Sequence, residues 1–313
     1  MSPLLLLSSG SYIGRSDRPV VAIGNFDGVH LGHQSMLKEA LRQAAELGQP
    51  SLVYTFDPPP AVVLRPDTHY PRILPLEDRV RLLGEFGVEQ VCIEPFSFAF
   101  AQHSATWFAH EILERRFDPS AIVVGYDFRF GRNRQGDFAL LQEELPDVPI
   151  TQVGAFEFDG QIVSSSRIRR LVSEGDVRGA GVILSRCHTV RGTVVEGDQR
   201  GRALGFPTAN LATPAELLPA PGVYVVKGRV DRRHEYGGVA NLGVRPTFSG
   251  RELMIEIHLF DLANADENLY GRELEVSFLQ KLRDEKRFPN AERLRAQIQS
   301  DVHSARAVLD RAE

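Results

Sequence analysis

The sequence predicts two folds in succession: an α/β domain on an open parallel sheet over residues 1–183, and a small antiparallel β-barrel with a terminal helix over residues 184–313. Two observations carry this. Up to about Gly175, short apolar runs alternate with amphipathic stretches, which is the rhythm of a βαβ sheet. From His188 to Gln280 the helical period disappears, and runs rich in Val, Ile, Tyr and Phe are separated by Gly, Pro, Asn and Asp. Such runs read as short strands, and closing them into a barrel removes exposed edges.

Composition narrows the function. At 313 residues, 42% hydrophobic and 25% charged, the chain reads as a soluble globular protein of two domains. A formal charge of −5 argues against broad nucleic-acid binding, which needs a basic surface. The apolar run Leu4–Leu7 is too short for a signal peptide or a membrane span. Cys92 and Cys187 stand far apart, which argues against a disulfide framework or a zinc site. The expectation is a cytoplasmic protein acting on small molecules, with neither nucleic acid nor membrane as partner; a homo-oligomer is compatible with the sequence.

In chain order, the expected strands of the first domain are Val20–Ile23, Leu52–Phe56, Gln90–Ile93, Ile122–Gly125 and Ile150–Val153. Helices are expected at 31–47, 76–86, 104–115 and 137–145, and from the Ser164–Ser166 cluster to Gly175. The first strand is a continuous apolar run, as in a parallel strand buried on both faces. It ends at Gly24-Asn25-Phe26-Asp27-Gly28, and a helix starts near His30. A helix N-terminus offers unpaired N–H groups and partial positive charge, and glycines allow a phosphate close to the backbone. His30 and His33 flank Gly32 at a spacing that puts both on one side of the first turn, where both can face a triphosphate. Zinc is the rival reading of such a pair, but no nearby Cys or His supplies a third ligand.

Phe26-Asp27-Gly28-Val29-His30-Leu31-Gly32-His33 resembles the HxGH signature of the nucleotidyltransferase superfamily, in the FDGVHxGH form of bacterial bifunctional riboflavin kinase/FAD synthetases. The resemblance implies a Rossmann-like nucleotidyltransferase domain in which His30 and His33 stabilise the transferring α-phosphate and the leaving pyrophosphate. Gly24, Phe26, Asp27 and Gly32 would then belong to the ATP side. After the second strand, Phe56-Asp57-Pro58-Pro59-Pro60 is a rigid extended segment. The family has PHP where this chain has Pro59; Phe56 is expected on the flavin side. The segment 125–137 resembles the family's GxDFxFGxxRxGD loop, with Asp127, Phe128 and Arg134 as the flavin-side residues. Ser164-Ser165-Ser166-Arg167-Ile168-Arg169 resembles the ISSTxIR element, with Ser where Thr is usual, and Ser165, Ser166 and Arg169 fall on the ATP phosphates.

In the second domain the expected strands are Thr189–Glu196, Gly222–Val230, Tyr236–Leu242, Leu253–Asp261 and Arg272–Leu282, with a helix near 290–310. Gly197 through Leu211 is a Gly-rich stretch in which Thr208 and Asn210 place two neutral oxygen ligands close together, as hard Mg²⁺ accepts. On residues alone this is equally a Gly-rich hairpin. It resembles the flavokinase signature GxxxGRxLGFPTANL, which implies that Gly201, Gly205, Thr208 and Asn210 hold ATP phosphates and, through Thr208 and Asn210, the metal. Asn241–Phe248 and Leu269-Tyr270-Gly271 fit later motifs of the family. In Leu253–Leu259 the odd-numbered apolar residues share one strand face and put Glu256 on the other with His258. A carboxylate there can take the proton of a primary alcohol attacking a γ-phosphate, and by the resemblance Glu256 is the base.

The expected function is phosphorylation of riboflavin to FMN and adenylylation of FMN to FAD, with ATP and Mg²⁺. Two alternatives remain: a riboflavin kinase whose adenylylation is weakened by the Pro59 and Ser166 departures, and a flavin- or nucleotide-binding regulator without turnover.

Overall fold

The computed structural model describes residues 5–8, 17–197, 205–247, 250–262 and 269–311. Spatially the chain divides into two compact units, Met1–Ser165 and Ser166–Glu313.

The first unit is built on a six-stranded, all-parallel sheet. Its strands are β1 (Leu5–Ser8), β2 (Val20–Ile23), β3 (Ser51–Asp57), β4 (Gln90–Pro95), β5 (Ala121–Gly125) and β6 (Ile150–Val153), in the order β1-β4-β3-β2-β5-β6. Five of the six were expected. The exception is β1, read from sequence only as an apolar run too short to span a membrane. It pairs with β4 from Leu5↔Gln90 to Ser8↔Ile93, and four residues at a sheet edge give no periodic signal.

The helices are α1 (Leu31–Leu47), α2 (Pro60–Leu64), α3 (Leu76–Glu85), α4 (Phe98–Ala101), α5 (Ala105–Trp107), which runs on as a π-helix over Phe108–Phe117, and α6 (Phe138–Glu144). Val21, Ile23, Tyr54, Ile122 and Val124 pack on one side of the sheet with Phe108, Ile112 and Phe117. Val20, Ala22, Val53, Val91 and Val123 pack on the other with Met36, Leu37 and Leu83. Burial on both faces is why these strands read as unbroken apolar runs. A two-residue-strand hairpin, β7 (Glu157–Phe158) and β8 (Gln161–Ile162), precedes α7 (Ser165–Glu174), the helix that crosses the division between the units.

The second unit is a closed six-stranded antiparallel barrel. Helix α8 (Val177–Leu184) leads into β9 (His188–Val195), β10 (Ala209–Ala212), β11 (Gly222–Val230), β12 (His234–Thr247), β13 (Gly250–Leu259) and β14 (Glu273–Arg283), ordered β10-β13-β12-β11-β14-β9. Strand β10 was not expected: its first three residues sit inside the Gly-rich stretch, yet the strand pairs with both β9 and β13 and closes the barrel. Strict alternation fills the interior with Val190, Val194, Leu211, Tyr224, Val226, Ile255, Ile257, Leu274, Val276 and Phe278, and α8 adds Val177. The last helix, α9 (Ala291–Leu309), begins at Asn290, whose side chain accepts the Arg293 N–H, and lays Ala305, Val302 and Leu309 over Val223, Val225, Val239 and Phe260 on the outer wall. Arg283 forks onto the Asp301 carboxylate at 2.8 and 3.1 Å to pin it there.

Candidate active sites

In the parallel sheet, chain progression reverses between β2 and β5: β3, β4 and β1 lie to one side, β5 and β6 to the other. A ligand crevice opens at the carboxyl ends of the strands at such a reversal. The loop after β2 runs through Gly24, Asn25, Phe26, Asp27 and Gly28, and the loop after β5 through Asp127 and Phe128. Phe56 stands at the end of the neighbouring β3.

The first loop is tightly constrained. Gly24 donates its N–H to the Tyr54 carbonyl at 3.1 Å, and Val29 donates to Phe26 at 3.1 Å. Phe26 and Val29 both have positive φ, 49° and 41°, which is strained for a β-branched valine, and such strain clusters at ligand clamps. Gly28 is required: its φ is 87°, and a Cβ would meet the Ile73 side chain at 3.0 Å. The Phe26 side chain is fully buried, packed at 5.3 Å from the His33 ring. The Asp27 carboxylate, 2% exposed, accepts the Ile73 and Leu74 N–H groups at 3.0 and 3.3 Å. Both side chains are thus buried and hold the loop in place.

His30 caps α1: its Nδ1 accepts the His33 N–H at 3.3 Å. A ring nitrogen that accepts an N–H carries no proton, so the neutral ring holds its proton on Nε2, the atom able to donate to a phosphate oxygen. The two imidazoles stack with centroids 3.7 Å apart and planes 16° apart, Gly32 between them in sequence. Sequence spacing put them on one side of the turn; the ring stacking is beyond what spacing shows.

Of the residues expected on the flavin side, Phe56 packs edge-on against Tyr54 at 5.1 Å and Phe96 at 5.7 Å, and half-buried Phe128 stacks on Phe130 at 5.3 Å. Asp127 and Arg134 are exposed. Pro59, at the position of the family's histidine, is buried at the start of α2. Ser165 donates its hydroxyl to the Asp27 carbonyl at 2.9 Å, so the first residue of α7 is tied to the loop after β2. Ser166 is exposed and Arg169 half-buried one turn further along the same helix.

The barrel carries a second constellation on its outer wall. Asn210 of β10 pairs with Glu256 of β13, and Glu256 pairs with Asn241 of β12. Register partners share a face, so a carboxylate stands between two amides. Asn210 is 7% exposed, and among the described residues its Oδ1 has no hydrogen-bond partner. Thr208 lies just before β10. His258, two residues from Glu256 on the same face, engages the Pro207 carbonyl through Nδ1 at 2.8 Å, and burial pushes its pKa down. It thereby holds the backbone next to Thr208. Glu285, which the motifs did not point to, lies over Gly243, where a Cβ would meet Oε1 at 2.6 Å. Gly205 is exposed with φ 86°; Gly201 and Phe248 lie outside the described residues.

Histidines on a helix N-terminus at a sheet's switch point, and a barrel wall where an amide oxygen without a partner among the described residues stands beside a carboxylate, suit a two-site transferase of nucleotide chemistry. Known proteins agree. The FAD synthetase family model matches residues 14–167 and the riboflavin kinase family model residues 184–309. A Haemophilus influenzae protein named bifunctional riboflavin kinase/FMN adenylyltransferase is 36% identical over 292 residues, 93% of this chain and 94% of its own. The Pseudomonas fluorescens protein of that name is 39% identical, covering 92% of each chain. A solved Streptococcus pneumoniae structure, titled a macrolide-efflux protein, superposes with a TM-score of 0.88 at 32% identity over 97% of this chain and 99% of that one. Among the described residues, no helix of this chain is long and apolar enough to cross a membrane. The chain belongs to the bifunctional riboflavin kinase/FMN adenylyltransferase family.

Proposed function

We propose that the barrel transfers the γ-phosphoryl group of ATP to riboflavin, giving FMN and ADP, and that the parallel-sheet domain joins FMN to the adenylyl group of a second ATP, giving FAD and pyrophosphate. The observation that supports this best is that one chain holds both constellations: stacked His30 and His33 at a helix start, and Glu256 between Asn210 and Asn241. The proposed domain boundary is 183/184, a reading supported by a riboflavin kinase match that starts at residue 184.

In the barrel, the Glu256 carboxylate takes the proton of the riboflavin 5′-hydroxyl as its oxygen attacks the γ-phosphorus. Thr208 and Asn210 fit a hard cation: both offer neutral oxygens, and the Asn210 Oδ1 is buried without a partner among the described residues. They would hold Mg²⁺, which when bound supplies charge neutralisation at the phosphates. Gly201 and Gly205 are proposed to take the ATP phosphates. In the parallel-sheet domain an FMN phosphate oxygen attacks the α-phosphorus and pyrophosphate leaves. His30 Nε2–H, His33 and the backbone N–H groups of the α1 start stabilise the charge that develops. Gly24, Phe26, Asp27 and Gly32 shape the ATP side, Ser165, Ser166 and Arg169 hold phosphates, and Phe56, Asp127, Phe128 and Arg134 hold the flavin. Soluble substrates of this kind fit a cytoplasmic enzyme.

The test is chromatography of the purified protein with riboflavin, ATP and Mg²⁺. FMN followed by FAD supports the reading. FMN alone would favour a kinase with impaired adenylylation, and flavin bound without product would favour a regulator.

A further inference from the structure

Arg79 is a fully buried arginine, 2% exposed, on α3. No sequence motif points to it. Its Nη1 donates to the Asn25 carbonyl at 2.9 Å and its Nη2 to the Phe56 carbonyl at 3.1 Å, with the Asp57 carboxylate 3.6 Å away. Asn25 lies in the loop after β2, one residue before strained Phe26, and Phe56 lies near the end of β3. One guanidinium therefore bridges the backbone of the loop that leads to His30 and the strand end that carries the flavin-side phenylalanine.

The bridge is closed by a second set of contacts. Asp27, two residues after Asn25, accepts the Ile73 and Leu74 N–H groups, and these residues lie just ahead of α3. The Thr55 hydroxyl also donates to the Asn25 carbonyl, at 3.2 Å. Loop, segment 73–74, α3 and strand end form a ring of buried polar contacts with Arg79 as its cross-brace. Burying a cation is costly, and burial pushes the Arg79 pKa down from its ordinary value. A hydrophobic residue of similar length would fill the space; what it would lack is a planar fork able to reach two carbonyls at once.

We infer that Arg79 is a positioning residue for adenylyl transfer: by holding the Asn25 and Phe56 carbonyls in one fork, it fixes the distance between the ATP-side and flavin-side loops. This rests on the assignment of those loops to ATP and FMN made above. In-line attack requires the two reacting atoms in near contact, and a displacement of about 1 Å costs up to roughly a hundredfold in rate. Arg79 is 2% exposed and its fork is spent on two backbone carbonyls, so loosening the brace is expected to alter alignment rather than binding.

The experiment is steady-state FAD formation from FMN and ATP by full-length Arg79→Lys, with riboflavin phosphorylation by the same preparation and thermal unfolding measured alongside. Lysine keeps the charge but reaches one carbonyl. The expected result is a kcat for FAD formation lowered roughly tenfold to a hundredfold, with KM for ATP and for FMN within about twofold of the parent, and unchanged kinase activity. Arg79→Met, which loses both contacts, should lose more if it folds. An unchanged kcat in Arg79→Lys overturns the inference, as does a loss that disappears on cooling well below the variant's melting temperature, since that loss is stability alone. Failure of the parent, or retention of full FAD formation by His30→Ala, overturns the site assignment itself and the inference with it.

Discussion

Asn210 and Glu256 face each other directly across the β10–β13 ladder, and the Asn210 amide is in turn covered by Gly197. A Cβ at residue 197 would overlap the amide nitrogen of Asn210. Gly197→Ala should therefore displace the amide from its place beside the carboxylate. The expected outcome is a fall in riboflavin kinase kcat of about tenfold or more with FAD formation from supplied FMN unchanged. Full kinase activity in this variant would mean that the position of Asn210 is immaterial.

Asp27 was expected on the ATP side, and its geometry gives it a structural task. Its carboxylate satisfies two backbone N–H groups in the interior. Asp27→Ala leaves both unpaired, at about 1–3 kcal/mol each, so the parallel-sheet domain should melt earlier while kinase activity persists. Asp27→Asn keeps one neutral acceptor and should fall between. Differential scanning calorimetry with paired activity assays reads this; an alanine variant as stable as the parent would refute it.

His188 supplies a pH signature of the barrel. Its ring is buried, Nε2–H donates to the Leu217 carbonyl at 3.1 Å, and burial pushes its pKa down to about 4 from an ordinary 6.5. Between these values the unfolded chain binds the proton and the folded one does not, so stability is highest above the upper value and is lost as pH falls to the lower. The loss from this group is about 3 kcal/mol when complete. Urea unfolding of the parent should weaken across that window by more than that of His188→Gln, which keeps a donor without titrating. Identical pH dependence would contradict the assignment.

The fold was legible where burial is two-faced or alternation strict. Val20–Ile23 and Gly222–Val230 read correctly, and Ile122–Gly125 to within one residue of the observed Ala121–Gly125, because burial wrote the pattern into them. β1 and β10 were missed although β2 is no longer than either: β1 lies at the sheet edge beside β4, and β10 lies among glycines and a proline. The candidate sites divide in the same way. Residues in local strings, such as His30 and His33, were visible from spacing, and the face of Glu256 from alternation. The pairing of Glu256 with both Asn210 and Asn241 is a matter of strand register, and Arg79 reaches its partners across 54 and 23 residues of chain. Neither leaves a local pattern.

The central claim, two separable sites in one chain, is tested most directly by giving riboflavin or FMN, with ATP and Mg²⁺, to the parent, His30→Ala and Glu256→Gln, and separating the flavins by chromatography. Glu256→Gln should leave riboflavin unconverted, with a kinase rate lower by about 10²–10⁴-fold, and still turn FMN into FAD. His30→Ala should stop at FMN from either start, and mixing the two variants with riboflavin should restore FAD. Loss of both activities from either single substitution in a folded protein, or no FAD from the mixture, would contradict the account.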